Sequence, residues 1–81
     1  MSTVTVQLFA SYAETFGGST LKIPLDKGST VGDLVFSIRS LPGAYALPES
    51  LRVAVNRKFA SFDQVVDPRD EVALIPPVAG G

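Results

Sequence analysis

The chain has 81 residues, of which 46% are hydrophobic and 19% charged, with a formal net charge of −1. That is enough for one domain with a modest core, and too little for a deep catalytic cleft with its supporting shells. A near-average composition argues against disorder, a fibre or a coiled coil, and the scattered Lys and Arg leave no basic stripe for nucleic acid.

From Thr3 to Phe9 the sequence alternates, with Val4, Val6 and Leu8 on one face and Thr3, Thr5 and Gln7 on the other, which predicts a half-buried strand. Ala10 to Phe16 fits a short helical turn closed by Gly17 and Gly18, since glycine takes the left-handed cap conformation without a Cβ clash. Leu21, Ile23 and Leu25 alternate again, and the short connection makes the two strands neighbours. Lys27 and Gly28 then turn the chain.

The spacing of Val31, Leu34, Val35, Ile38 and Leu41 predicts a helix with one apolar stripe facing the sheet. Thr30 can cap its first turn, Asp33 adds a carboxylate near the positive end, and Arg39 lies near the negative end. Pro42 and Gly43 are expected to stop it. Ala44 to Ser50 reads as a loop, after which Leu51, Val53 and Val55 resume strand alternation towards a turn at Asn56 and Arg57. Phe59 and Phe62 follow, and Phe62, Val65 and Val66 are expected in the core. Asp67, Pro68, Arg69 and Asp70 make a turn before a last strand, Glu71 to Ile75, with Val72 and Leu74 inward and Ile75 outward.

This order predicts an α+β domain of β-grasp layout over residues 1–75. One main helix packs across a mixed sheet in which the first and last strands can lie side by side. Residues 76–81 form an extended, flexible C-terminal Gly-Gly tail. With no charged region leading into an apolar run at the amino terminus, and no apolar stretch of membrane-spanning length, the expected setting is soluble and cytoplasmic, with no membrane partner.

With no Cys and no His, the chain lacks a thiol nucleophile, an imidazole base and the usual transition-metal ligands, so a stand-alone hydrolase and a bound metal are not expected. No disulfide can support the fold either. If the protein takes part in sulfur chemistry, the sulfur must sit on the terminal carboxyl. Pro76 and Pro77 fix φ near about −65° and favour an extended path, so that the six residues from Pro76 reach roughly 19 Å. Gly80 and Gly81 have no Cβ, which leaves the last carboxylate open to a narrow tunnel. The Gly81 carboxylate is therefore the candidate reactive group, and Phe59 and Ile75 are candidates for an apolar docking patch beside the arm. Arg57, Lys58, Asp70 and Glu71 can steer a partner electrostatically.

Several segments, in order, resemble the small subunit of molybdopterin synthase, a ubiquitin-like sulfur carrier: Leu8-Phe9-Ala10-Ser11, Ser29-Thr30-Val31-Gly32-Asp33-Leu34, Val53-Ala54-Val55-Asn56, Asp70-Glu71-Val72-Ala73 and Pro76-Pro77-Val78-Ala79-Gly80-Gly81. The resemblance spans essentially the whole chain, and the terminal hexapeptide is its most discriminating part. One departure is Arg69, where the family pattern usually has Gly before the Asp-Glu pair.

The resemblance implies that a ubiquitin-activating-type adenylyltransferase, using ATP in trans, activates the Gly81 carboxylate. A sulfur donor protein then converts it to a thiocarboxylate. The tail, with Phe59, Ile75, Pro76, Pro77, Val78, Ala79 and Gly80 contacting the partner, enters the large subunit of the family's heterotetrameric synthase. There two carriers in succession supply the dithiolene sulfurs to cyclic pyranopterin monophosphate. No cofactor is bound by the chain itself, and the catalytic residues belong to the large subunit. Other readings share the double glycine. They are a sulfur carrier for thiamine, cysteine or transfer-RNA thiolation, a protein modifier joined to lysines through Gly81, and an interaction module with an inert tail.

Overall fold

The computed structural model describes residues 2–76. Strand β1 (Ser2–Gln7) pairs antiparallel with β2 (Thr20–Leu25), placing Val4 opposite Ile23 and Val6 opposite Leu21. Between them, α1 (Ala10–Phe16) ends on Gly17, whose φ of 72° is the left-handed cap that the two glycines predict. The second helix, α2 (Val31–Arg39), is followed by a short 3-10 turn, Ala44–Ala46. Strand β3 (Arg52–Val55), the two-residue β4 (Lys58–Phe59) and β5 (Val72–Ile75) complete a five-stranded sheet in the order β2-β1-β5-β3-β4.

The sheet is mixed, because β1 and β5 run parallel at its centre while every other pair is antiparallel. β5 therefore lies between β1 and β3, the middle position of the five strands. One face packs against α2. Strand residues Val4, Val6, Ile23, Leu25, Val53, Val55, Val72 and Leu74 meet helix residues Val31, Leu34, Val35 and Ile38 in a single buried cluster. Each such fully buried aliphatic side chain contributes about 1.5–3 kcal/mol relative to exposure.

α2 begins with a capping box: Asp33 N–H donates to Thr30 Oγ1 at 3.2 Å, and Thr30 N–H donates to the Asp33 carboxylate at 3.0 Å. Two more of its first N–H groups are taken by the loop that follows β4, with Val31 N–H donating to the Gln64 carbonyl and Gly32 N–H to that of Phe62, both at 2.9 Å. Gly32 permits this close approach, since a Cβ there would lie 3.2 Å from the Phe62 oxygen. At the other end, Arg39 donates to the carbonyls of Pro48 and Glu49 at 2.7 Å each, pinning the loop after the 3-10 turn.

Four expectations are corrected. α2 stops at Arg39 rather than at Pro42: Leu41 lies beyond it, bonded through its N–H to the Ile38 carbonyl, and packs half-buried against the core from there. Phe62 and Val65 are 54% and 59% exposed instead of buried, while Val66 is in the core. They sit on the loop strapped across the helix start, whose backbone is held by the Thr30–Val65 bridge and the bonds above; side chains 61–65 are exposed and the chain turns inward only at Val66. A fifth strand, β4, adds to the four expected, whereas the short helical turn expected over Ala10 to Phe16 forms as α1. The first strand ends at Gln7 because Ala10 already takes a left-handed φ of 50° to turn the chain into α1.

Candidate functional site

Because Val72 and Leu74 are fully buried, alternation turns Ala73 and Ile75 to the opposite side of the sheet, the face that carries no helix. Their neighbours on β3 follow from register: Ala73 lies opposite Ala54, and Ile75 opposite Arg52. Phe59 on β4 lies opposite Ala54 on its other side. Phe59, Ala54, Ala73 and Ile75 thus form a band across three strands of one face, with Phe59 65% exposed. The Arg52 guanidinium carbon lies 5.5 Å from the centre of the Phe59 ring, a cation–π contact that orients both side chains.

The band ends where the chain leaves the sheet. Ile75 closes β5 and the half-buried Pro76 follows directly, so any segment beyond it starts from the middle of the sheet beside this apolar strip. Phe59 and Ile75 therefore occupy one surface, as expected, and Pro76 adjoins it. The expected site residues Pro77, Val78, Ala79, Gly80 and Gly81 lie outside the described residues, as does most of the expected tail.

What fixes the start of β5 is Asn56, which reads in the sequence only as a turn residue. Its side-chain oxygen accepts from Glu71 N–H at 2.9 Å, its amide donates to the Asp70 carboxylate at 3.1 Å, and its own N–H donates to the Glu71 carbonyl at 2.7 Å. Asn56 and Arg57 both take positive φ, 53° and 70°, which gives the tight hairpin between β3 and β4. The same side chain thus ties that hairpin to β5 and sets the register in which Ile75 faces Arg52. A polar residue in the β3–β4 turn, with Asp-Glu just before the last strand, is the sequence signal for it.

The charges expected to steer a partner are largely engaged with one another. Arg57 pairs with Glu71 at 3.5 Å, and Asp70 accepts from both Asn56 and the Asp67 N–H. Asp67 accepts from the backbone and side chain of Arg69, which holds its carboxyl below the usual carboxylate range. Arg69 does not take positive φ, so this turn closes without the glycine that the family pattern usually places there.

Chemistry other than recognition is sparse. Among the described residues no group of three or more His, Cys, Asp or Glu side chains could hold a metal ion, and no helix is long and apolar enough to cross a membrane. A concavity of about 560 Å³ is lined by Ser2, Asp26, Lys27, Val65, Asp67 and Pro68, at the end of β1 opposite to the one where β5 runs out. The feature that stands out is an apolar sheet face running up to the end of a central strand.

The architecture is that of a ubiquitin-like β-grasp protein. The ThiS family matches residues 6–81, and the chain belongs to it. Small archaeal modifier protein 1 of Haloferax volcanii is 33% identical over 93% of this chain and 97% of its own. Its crystal structure superposes with a TM-score of 0.82, covering 99% of this chain and all of that one. The molybdopterin synthase sulfur carrier subunit of Dictyostelium discoideum is 36% identical over 94% of this chain and 93% of its own. A complex of subunits 1 and 2 of the molybdopterin-converting factor from Helicobacter pylori contains a chain of the same fold, with a TM-score of 0.70 at 19% identity, covering 98% of this chain and 99% of that one.

Proposed function

We propose that this protein is the sulfur carrier of a molybdopterin synthase, with the Gly81 carboxyl as its working group. The observation that carries the reading is the 36% identity to a molybdopterin synthase sulfur carrier subunit along nearly the whole chain. It is supported by the Pro76-Pro77-Val78-Ala79-Gly80-Gly81 ending that follows a central strand.

A carboxylate is a poor acceptor until its oxygen becomes a good leaving group. ATP-dependent adenylation supplies this: the Gly81 carboxylate displaces pyrophosphate to give an acyl-adenylate. The terminal sulfur of a donor persulfide then displaces AMP, and a donor thiol cleaves the resulting acyl disulfide, releasing the thiocarboxylate and leaving the donor as a disulfide. These steps belong to partners, because this chain has no thiol, imidazole or phosphate-cradling loop. Its own residues supply docking, through Phe59 and Ile75, and reach, through the proline arm. Ordering a free tail costs about 1–2 kcal/mol per residue, and Pro76 and Pro77 lower that cost by narrowing the unbound ensemble. In the large subunit the sulfur bonds to cyclic pyranopterin monophosphate, and water cleaves the acyl C–S bond, returning Gly81 to a carboxylate.

The test is reconstitution with untagged protein carrying a C-terminal thiocarboxylate, the large subunit and cyclic pyranopterin monophosphate. Dithiolene product should form in proportion to thiocarboxylate consumed, and a chain lacking Gly80 and Gly81 should give none. Product formation by the truncated chain, or none by the intact one, contradicts the proposal. The similarity to a small archaeal modifier protein favours a second reading, in which Gly81 is joined to lysines of other proteins. Conjugates that disappear on deletion of Gly81 would identify it.

A further inference from the structure

The outer sheet face is apolar at its centre, but its charge is one-sided. The outward strand positions are Thr3, Thr5 and Gln7 on β1, Thr20, Lys22 and Pro24 on β2, Arg52 and Ala54 on β3, Phe59 on β4, and Ala73 and Ile75 on β5. Two cations and no carboxylate stand among them. Glu71, just before β5, is already paired with Arg57. Lys22 donates to Thr5 at 2.9 Å.

Arg52 differs from the other arginines. The side chains of Arg39, Arg57 and Arg69 each donate to a carbonyl or carboxylate, whereas the Arg52 side chain makes no hydrogen bond or ion pair among the described residues. Its guanidinium is held over the Phe59 ring at 5.5 Å, with its donors unused among the described residues. A planar fork held by stacking has already lost part of the freedom it would otherwise lose on pairing, and a carboxylate is the acceptor that matches it two bonds at a time. Beside it lies a concavity of about 240 Å³ lined by Leu51, Arg52, Val53, Phe59 and Ala60, with apolar walls and one cationic rim. An acidic side chain on an apolar stem fits both features.

We propose that Arg52 and this concavity receive an acidic side chain of the protein that accepts the tail, making Arg52 a specificity-determining residue of the docking face. The inference rests on the reading of that face as the surface used by the large synthase subunit, and charge complementarity selects the occupant. Arg52 stands opposite Ile75 in the ladder, but its guanidinium lies over Phe59 on β4, so the carboxylate it captures sits on the β4 side of β3, across that strand from the root of the arm. The pair would therefore fix the partner along the sheet edge as well as add attraction.

The experiment measures binding of the large subunit from the same host by titration at low and high salt. It compares the wild-type chain with Arg52→Leu, Arg52→Glu and Phe59→Ala, after circular dichroism has shown all four folded. Arg52→Leu should weaken binding and flatten its salt dependence. Arg52→Glu should weaken it about tenfold further at low salt, with the deficit shrinking as salt rises. Wild-type affinity in both Arg52 variants, with Phe59→Ala impaired, overturns the proposal and leaves the docking face standing. Equal losses in the two variants with an unchanged salt slope also overturn it, since Arg52 would then act only by packing on Phe59. Wild-type affinity in all three variants removes the docking face itself. Self-association of the wild-type chain that Arg52→Glu abolishes would assign the arginine to a second copy instead.

Discussion

Replacing Phe59 with Ala separates folding from docking. A Phe side chain presents about 200 Å² of surface, so the 65% left exposed in the free protein is about 130 Å² available to a partner. Covering it would stabilise a complex by about 3 kcal/mol at 25 cal/mol per Å², and an alanine retains roughly a third of that. The variant should therefore bind the large subunit about 2 kcal/mol more weakly, a rise of about 30-fold in Kd. The part of Phe59 already covered is small, and its stacking with Arg52 adds about 0.5–1 kcal/mol at an exposed site. Stability should consequently fall by only about 1 kcal/mol, or about 4–8 °C in Tm for a domain of this size. Calorimetric titration against the large subunit, with thermal unfolding of the free variant, reads both numbers. Unchanged affinity with a large loss of stability would refute the reasoning, because it would mean that Phe59 serves the fold and the face is not where the partner sits.

Four further outcomes follow from the described residues. Tyr12 is buried with its hydroxyl unpartnered among them, so Tyr12→Phe should match or exceed wild-type stability at pH 7, by up to about 1 kcal/mol in a urea melt, and a clear loss would mean that the hydroxyl is bonded. Burial raises the Tyr12 pKa above its ordinary value of 10.0, against a smaller opposing effect of Arg39. The unfolded chain thus ionises first on the alkaline side, and the wild type should lose stability above about pH 10 while Tyr12→Phe is spared that loss; parallel pH profiles of the two would contradict this. Arg57→Gly should raise Tm, since φ of 70° disfavours a side chain by about 1 kcal/mol and the exposed pair with Glu71 offsets little of it; a lower Tm would show that pair to be worth more. Gly32→Ala should lower stability by about 1 kcal/mol despite the better helix propensity of alanine, because the new Cβ meets the Phe62 carbonyl, and a stabilised variant would show that the loop yields freely.

Much of the fold was legible because its periodicities are clean. Val4 and Val6 alternate with threonines, Val31, Leu34, Val35 and Ile38 keep a helical stripe, and all six are buried as those patterns require. The left-handed cap at Gly17 was legible from residue type, and Asn56-Arg57 was legible as a turn. The segment from Phe59 to Val66 was not. Its aromatic and branched residues look like core, but its backbone is used to satisfy the first N–H groups of α2, and that geometry leaves Phe62 and Val65 outside. Hydrophobicity alone does not distinguish a residue that fills a core from one carried outward by a strap. For the site, the outward direction of Ile75 followed from alternation along β5. Its partnership with Arg52, and the clamp made by Asn56, depend on which strands are neighbours, and local sequence does not state that.

The most direct test of the sulfur-carrier reading is the intact mass of the protein purified from its own host without a C-terminal tag. A population is expected in which one oxygen of the Gly81 carboxyl is replaced by sulfur, lost when the adenylating enzyme is absent. Gly81 found only as a free carboxylate or joined to lysines of other proteins, with no thiocarboxylate under conditions of active cofactor synthesis, would contradict it.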